Sequence, residues 1–257
     1  MRRPYEASDQ VLLVDRKQRQ YLVTLKPGAE FHSHTGSVAH DDLIGSEDGA
    51  PVKSSRGSVF DTFRPTLTEF VLKMPRGAQV IYPKDLGPIL MLADIHPGVR
   101  VFESGVGSGA LSMVLLRAGA QVTGYELRED FAARARANVV AMLGWDALEA
   151  YEVQIRDAYK GIDETDLDRV VLDLPEPWQV VPHAAQALHS GGIILAYTPS
   201  ILQASRFREA LGGHGFGFAE TIEILHRSWH IDGAAVRPEH RMVGHTGFMS
   251  HARLLGS

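Results

Sequence analysis

Four acidic residues, each closing an apolar run, carry most of the chemistry this sequence offers. The first, Glu103, follows RVF and opens Glu103-Ser-Gly105-Val-Gly107-Ser-Gly109. Glycines at alternate positions permit a tight turn and let a ligand lie against bare backbone where a helix begins. The spacing departs from the dinucleotide fingerprint G-x-G-x-x-G: the third glycine comes one residue early, and an acid stands ahead of the first. A pyrophosphate would be repelled by Glu103, whereas a cationic sulfonium would be held by it. The same segment also admits a plainer reading, a glycine turn needed only for strand–helix packing. Glu126 closes QVTGY seventeen residues after Gly109, a place suited to a carboxylate gripping two ribose hydroxyls. A nicotinamide enzyme would place an acid similarly, so Glu126 alone does not discriminate. Asp157, ending YEVQIRD, could contact a ligand or simply cap the next helical turn. Asp173 ends RVVLD and starts Asp173-Leu-Pro-Glu-Pro-Trp178, the most specific local segment of the chain.

These acids converge only if the chain folds as alternating strands and helices. From Val80 onward the pattern predicts a helix over 84–95, strand RVFES, a helix over 109–118, strand QVTGYE, a helix over 128–142 and strand YEVQIRD. Strand RVVLDL, a helix near 178–189, strand GGIILAYT and a helix near 200–211 continue it. Such alternation implies a mostly parallel sheet covered on both faces, with ligands bound beyond the carboxyl ends of its strands. The last fifty residues, with AETIEILHRSWHI and HRMVGHTGFMSHARLL, read as two strands with no helix between, an antiparallel pair at one edge. Upstream, VLLVD, QYLVTL, FHSH and SVFDTF are short β-rich runs punctuated by Gly, Ser and Pro. Thr66-Leu-Thr-Glu69 has capping-box spacing ahead of an apolar-periodic stretch. The expected organisation is a small N-terminal β domain over 1–64, a connecting helix and linker over 65–80, and an α/β domain over 81–257.

With 257 residues, 44% hydrophobic and 22% charged, the chain is an ordinary globular protein, long enough to bury about 70–75% of its unfolded surface. It contains no cysteine, which excludes disulfide frameworks, thiolate metal sites, iron–sulfur clusters and thiol nucleophiles together. Only a four-residue apolar run precedes Asp15, and no stretch approaches a membrane span, so a cytoplasmic protein with no membrane partner is expected. The net charge is −5, with nine Lys/Arg against nine Asp/Glu in residues 1–64 and thirteen against nineteen in residues 101–257. A nucleic-acid partner would therefore need a local basic patch.

The glycine segment resembles motif I of class I S-adenosylmethionine (SAM)-dependent methyltransferases. DLPEPW resembles their motif IV, which marks methylation of a base nitrogen, although here the prolines are split by Glu176 and the acid is followed by Leu174. That departure, with FHSHTGSVAHDDLIG, RPTLTEFVLKMPR, IYPKDLGPI, LAYTPS and VGHTGF in order, is similar to the tRNA (adenine-N1) methyltransferases that modify position 58 in the T loop. The resemblance covers almost the whole chain. It implies a Rossmann-like, seven-stranded, mostly parallel sheet with an antiparallel edge strand, a small N-terminal β domain, SAM as cofactor, tRNA as partner through its T arm, and a homotetramer. Residue by residue, it implies that Glu103 and the loop from Gly105 through Val106, Gly107, Ser108, Gly109 and Ala110 to Leu111 surround the methionine part of SAM. Glu126 would hold the ribose and Asp157 the adenine. Asp173 would sit beside the methyl group and the target base, with Tyr82 and Tyr197 lining the base pocket; as aromatics, both tyrosines could equally be core. Phe131 stands where relatives commonly carry a polar residue near the cofactor, so no polar contact is expected there.

Candidate tRNA-contacting cations are Arg2, Arg3, Arg16, Lys17, Arg19, Arg76, Lys84, Arg227, Arg237 and Arg241, each of which could also be a solvated surface charge. His32, His34 and His40 are loosely spaced like ligands, and five more histidines lie between His226 and His251, but no cysteine or flanking acid completes a site and no metal is expected. Three rival readings remain: an NAD-dependent dehydrogenase, in which DLPEPW has no role; a protein-isoaspartyl or small-molecule methyltransferase, which has no need of a base site; and a non-catalytic tRNA-binding subunit, against which the intact Gly105, Gly107, Gly109, Glu126 and Asp173 argue.

Overall fold

The computed structural model describes residues 3–77 and 79–256; Arg2 lies outside them. The chain divides into two compact units, Met1–Pro75 and Arg76–Ser257.

In the first unit, runs rich in branched and aromatic residues alternate with polar turns, and each becomes a strand. These are β1 (Gln10–Asp15), β2 (Gln20–Thr24), β3 (Glu30–Ser33), β4 (Gly36–Ala39), β5 (Pro51–Lys53) and β6 (Val59–Phe63). The antiparallel order is β2-β1-β6-β5, with β3 and β4 forming a separate hairpin. Val11 and Leu13 of β1 meet Val23, Leu25, Val38 and Phe60 in one core. Helix α1 (Leu67–Lys73) begins with the expected capping box: Thr66 Oγ1 accepts from the Glu69 N–H at 3.3 Å, and the Glu69 carboxylate accepts from the Thr66 N–H at 2.8 Å. Two donors that a helix start leaves unpaired are thus satisfied.

The second unit contains α2 (Pro83–Leu92), β7 (Arg100–Ser104), α3 (Ala110–Arg117), β8 (Gln121–Glu126), α4 (Glu129–Leu143), β9 (Tyr151–Ile155) and β10 (Leu167–Leu172). It continues with α5 (Val181–Ala187), β11 (Leu188–Thr198), α6 (Ile201–Gly212), β12 (Phe216–Glu223), β13 (Trp229–Asp232), β14 (Ala235–Pro238) and β15 (Phe248–Leu254). Its seven-stranded sheet has the order β12-β15-β11-β10-β7-β8-β9. The five strands from β11 to β9 pair in parallel, while β15 runs antiparallel to both β11 and β12. The antiparallel pair expected at one edge is therefore β12–β15, with β15 the reversed strand. Because β7 and β10 are buried on both faces, Val101, Phe102, Val170, Val171 and Leu172 form a continuous apolar slab rather than an alternating pattern.

The structure corrects two sequence expectations. The helix expected to reach 189 stops at Ala187, because Leu188 turns extended, is buried, and pairs with Leu167 as the first residue of an eleven-residue strand. The run AETIEILHRSWHI is not one strand: β12 ends at Glu223, and Trp229–Asp232 pairs instead with Ala235–Pro238. The two-residue turn at Gly233, with φ +54°, lets the chain double back there.

Candidate active site

Parallel pairing sets Leu172 opposite Ser104, so the chain leaves β7 and β10 side by side. The Asp173 N–H donates to the Ser104 carbonyl at 2.9 Å, and a Cβ on Gly105 would run into the Asp173 carbonyl. Gly105, at φ +87°, is therefore needed both for its backbone conformation and for this close approach. The Gly107 N–H donates to Glu126 Oε2 at 2.9 Å, and the Arg128 N–H donates to Oε1 at 3.0 Å. Glu126 thus ties the glycine loop to the end of β8 while both oxygens keep a lone pair for a ligand. Gly109 packs against Ala135 of α4, where a Cβ would lie only 3.1 Å from the Ala135 Cα. Val106, Ser108, Ala110 and Leu111 are buried around the turn, and the Ser108 carbonyl accepts from Asn138 Nδ2 at 2.9 Å.

Glu103 is fully buried. Ser112 Oγ donates to its Oε2 at 2.7 Å, and the Tyr151 hydroxyl donates to Ser112 Oγ at 2.9 Å. Its Oε1, like the Ser108 hydroxyl, has no hydrogen-bond partner among the described residues. Burial pushes the Glu103 carboxyl up to about 8, with the nearby Asp173 and Glu126 charges adding to the rise and Ser112 opposing it. Two orphaned polar groups at a glycine loop are what a ligand with a cationic, hydrogen-bonding end would satisfy, and the donor set fits SAM. Sequence reasoning gave no role to Ser112, the last residue of ESGVGSGALS and the third of α3, or to Tyr151, which lies in none of the motifs.

Beyond the strand ends, Gly105, Glu126, Arg156, Asp157, Tyr159 and Leu174 help line a cavity of about 70 Å³. Asp157 caps the turn that follows, its Oδ1 accepting from the Tyr159 N–H at 3.0 Å, while its Oδ2 lies 3.8 Å from Lys160 Nζ. The capping role is real, and a place on the cavity wall accompanies it. Phe131 carries the Arg128 guanidinium over its ring at 3.8 Å, an apolar and cationic surface.

The Asp173 carboxylate accepts no hydrogen bond from any described residue, and burial pushes it up to about 7. Tyr197, at the matching position one residue past Ala196 of β11, feels its charge. The Tyr197 hydroxyl donates to Asp85 Oδ2 at 3.3 Å, Thr246 donates to the same oxygen at 2.6 Å, and Lys84 Nζ lies 2.8 Å from Oδ1. Lys84 also donates to the Ile224 carbonyl at 2.7 Å. With Asp85 fully buried and the Lys84 side chain 8% exposed, Lys84 is an internal cross-link and not a surface cation, which removes it from the tRNA candidates. Tyr82, half-buried at the start of α2, directly precedes this segment. The DLPEPW loop is pinned by Glu176 N–H donating to the Tyr159 hydroxyl at 3.1 Å, by Gln203 donating to the Pro175 carbonyl at 2.8 Å, and by Arg206 over the Trp178 ring.

A chain with this site has known relatives. The family model of the tRNA methyltransferase complex GCD14 subunit matches residues 62–236, and a TrmI-like N-terminal model matches residues 4–52. The chain belongs to the GCD14 family. It is 38% identical over 242 residues to the tRNA (adenine(58)-N(1))-methyltransferase TrmI of Thermus thermophilus, covering 93% of this chain and 94% of that one. Among solved structures, a SAM-dependent O-methyltransferase from Thermotoga maritima superposes with a TM-score of 0.92 at 32% identity, over 98% of this chain and 95% of that one. The tRNA (m1A58) methyltransferase TrmI from Aquifex aeolicus superposes with 0.84 at 27% identity, over 99% and 100%. The GCD14 match covers most of the Rossmann-like unit, and the TrmI-like N-terminal match falls within the N-terminal β unit.

Proposed function

We propose that this protein transfers a methyl group from SAM to N1 of the adenine at position 58 in the T loop of tRNA. Within this family assignment, the observation that carries the reading is the unpartnered Asp173 carboxylate beside the glycine loop. SAM supplies an electrophilic methyl group on a sulfonium. Adenine N1 has an in-plane lone pair and needs no deprotonation, so the burden falls on presentation and alignment. Asp173 accepts a hydrogen bond from the adjacent 6-amino group, orients the ring, and stabilises the positive charge that grows on it. Tyr82 and Tyr197 line the base pocket; Glu103 with the loop Gly105–Leu111, Glu126 and Asp157 hold the methionine, ribose and adenine parts of SAM. Because N1 lies on the Watson–Crick edge, the target adenine is extruded before reaction.

Residues 1–64 act as a β domain joined through 65–80 to the catalytic domain, 81–257, and the protein works in the cytoplasm as a homotetramer. The fully formed hairpin β13–β14, with Trp229, Ile231 and Val236 all more than half exposed, supports self-association. No helix among the described residues is long and apolar enough to cross a membrane.

The test is methylation of an unmodified tRNA transcript by purified protein and SAM, with nucleoside mass spectrometry and a parallel transcript carrying guanine at position 58. N1-methyladenosine only in the first transcript is the expected result. A ribose- or other oxygen-methylated product would overturn the nitrogen assignment and favour the chemistry named for the Thermotoga relative.

A further inference from the structure

The N-terminal unit brings three hairpin turns together at one end. Ser54 Oγ of the β5–β6 turn donates to the Thr35 carbonyl of the β3–β4 turn at 2.7 Å, and the Ser37 N–H donates to Ser55 Oγ at 3.0 Å. A Cβ on Gly36 would press within 2.8 Å of Ser55 Oγ, so these two turns are in intimate contact. The β1–β2 turn joins them through Arg19, whose Nη2 lies 2.8 Å from His34 Nε2. Between the turns lies a hollow of about 320 Å³. Its walls include Arg16, Lys17, Arg19, Thr35 and Ser58, and its one carboxylate is Asp15. Arg56, exposed on the third turn, reaches the His34 carbonyl at 3.4 Å.

The charges are sorted rather than scattered. Asp15 is already committed: it accepts from the Lys17 and Arg19 N–H groups at 2.8 and 2.9 Å and from Arg19 Nε at 2.7 Å. Although burial opposes it, these bonds hold the Asp15 carboxyl below the usual carboxylate range. Arg16 and Lys17 are exposed and have no ion pair among the described residues. Elsewhere in the unit, Asp9 binds Arg3 and Arg64, Asp48 accepts from Tyr5 and the Arg64 N–H, and Asp41 accepts from the Gly28 N–H. In a chain of net charge −5, Arg16, Lys17 and Arg19 around one neutralised acid make a locally positive hollow, and Arg56 adds a further cation on the neighbouring turn. Guanidinium forks, an ammonium and small hydroxyls on a hydrogen-bonded frame suit phosphodiester oxygens. No aromatic side chain stands in the hollow to stack on a base, so such a site reads backbone and not sequence.

We propose that this hollow, formed by the turns at Arg16–Arg19, Thr35 and Arg56–Ser58, is a phosphate cradle that grips the sugar–phosphate backbone of the tRNA substrate. The proposal rests on tRNA being the substrate. It assigns the β unit a binding role separable from methyl transfer, because the glycine loop and Asp173 belong to the other unit.

The experiment uses the full-length protein and the triple variant Arg16→Gln/Lys17→Gln/Arg56→Gln, with Arg19 left to hold Asp15. Affinity for unmodified tRNA is measured across a salt series, and kcat at saturating tRNA is measured alongside SAM affinity and molecular mass by light scattering. The expected result is a tRNA Kd raised about 10- to 100-fold near 0.1 M salt, and a slope of log Kd against log salt reduced by about 3. SAM affinity, mass and kcat are unchanged, and the Arg16→Lys/Arg56→Lys variant keeps most of the affinity. An unchanged Kd and slope in a variant that still binds SAM would overturn the cradle, as would an altered mass with unaltered tRNA binding. A wild-type protein that shows the salt-sensitive, cradle-dependent binding but forms no N1-methyladenosine would overturn the methylation reading and leave the cradle standing.

Discussion

At the residue scale, Asp173 and Glu103 are two carboxyls with distinct assignments. In the proposed mechanism Asp173 acts as an acceptor, so it must be ionised during turnover. Asp173→Ala is expected to lower kcat by about 10²- to 10³-fold, with tRNA affinity changed far less, because the lost hydrogen bond strengthens only as charge develops on the ring. Equal losses in kcat and tRNA affinity, from single-turnover and binding assays, would contradict that role. Burial holds the Asp173 carboxyl up to about 7, and a sulfonium nearby favours its ionised form. The kcat–pH profile should therefore fall on the acid side, with an apparent pKa at or below about 7, and Asp173→Asn should abolish that limb. Glu103 carries the opposite sign to the familiar salt-bridged acid. Its folded value, up to about 8, exceeds its ordinary range, so the folded state holds the proton more tightly than the unfolded one. Its contribution to stability is fully present below the unfolded value near 4.3 and is lost as pH rises through about 8. Urea unfolding of the SAM-free protein from pH 5 to 9 should show this decline, and Glu103→Gln should flatten it. SAM binding at neutral pH should release a proton in the wild type, as read by calorimetry in buffers of different ionisation enthalpy.

At the element scale, the buried Lys84–Asp85 pair ties the start of α2 to the end of β11 through Tyr197, to the segment after β12 through the Ile224 carbonyl, and to the loop before β15 through Thr246. Removing either charge alone leaves the other buried without its partner. Lys84→Met and Asp85→Asn should each destabilise the fold by about 3–5 kcal/mol, while the double variant costs clearly less than the sum. A double-mutant cycle by denaturant unfolding measures this coupling, and additive losses would show that the pair is not the unit described. Gly247 belongs to the same junction, since a Cβ there would strike the Tyr197 ring. Gly247→Ala should therefore raise KM for tRNA through a displaced tyrosine while leaving SAM affinity near the wild-type value.

At the scale of the whole molecule, the chain forms two compact units, and the proposed SAM site lies within the second. A ligand that binds only the folded second unit stabilises that unit by mass action, about 2.7 kcal/mol at a hundred times its Kd. Calorimetric scans with and without SAM should move the transition of Arg76–Ser257 upward by several degrees. Any separate transition of Met1–Pro75 should stay in place. A shift absent at saturating SAM would contradict the cofactor assignment for the glycine loop.

Much of this architecture was legible in the sequence, because it is written in local patterns. Alternating apolar runs and helical periodicity predicted a parallel sheet, Thr66 and Glu69 predicted a capped helix, and the glycine spacing with Glu103 in front pointed to a cationic ligand. Each follows from backbone sterics and from burial periods that a few neighbouring residues determine. Register and long-range pairing were not legible. Nothing local says that Leu188 leaves its helix to pair with Leu167, or that Trp229–Asp232 folds back on Ala235–Pro238. Nor does sequence position say that Lys84 is buried against Asp85 while the turn carrying Arg16 and Lys17 stands beside the turn carrying Arg56. The sequence by itself determined which side chains could do chemistry and at which strand ends they stand. Only the tertiary structure decided which charges neutralise one another and which stay free, because electrostatic pairing and desolvation depend on distances between residues far apart along the chain.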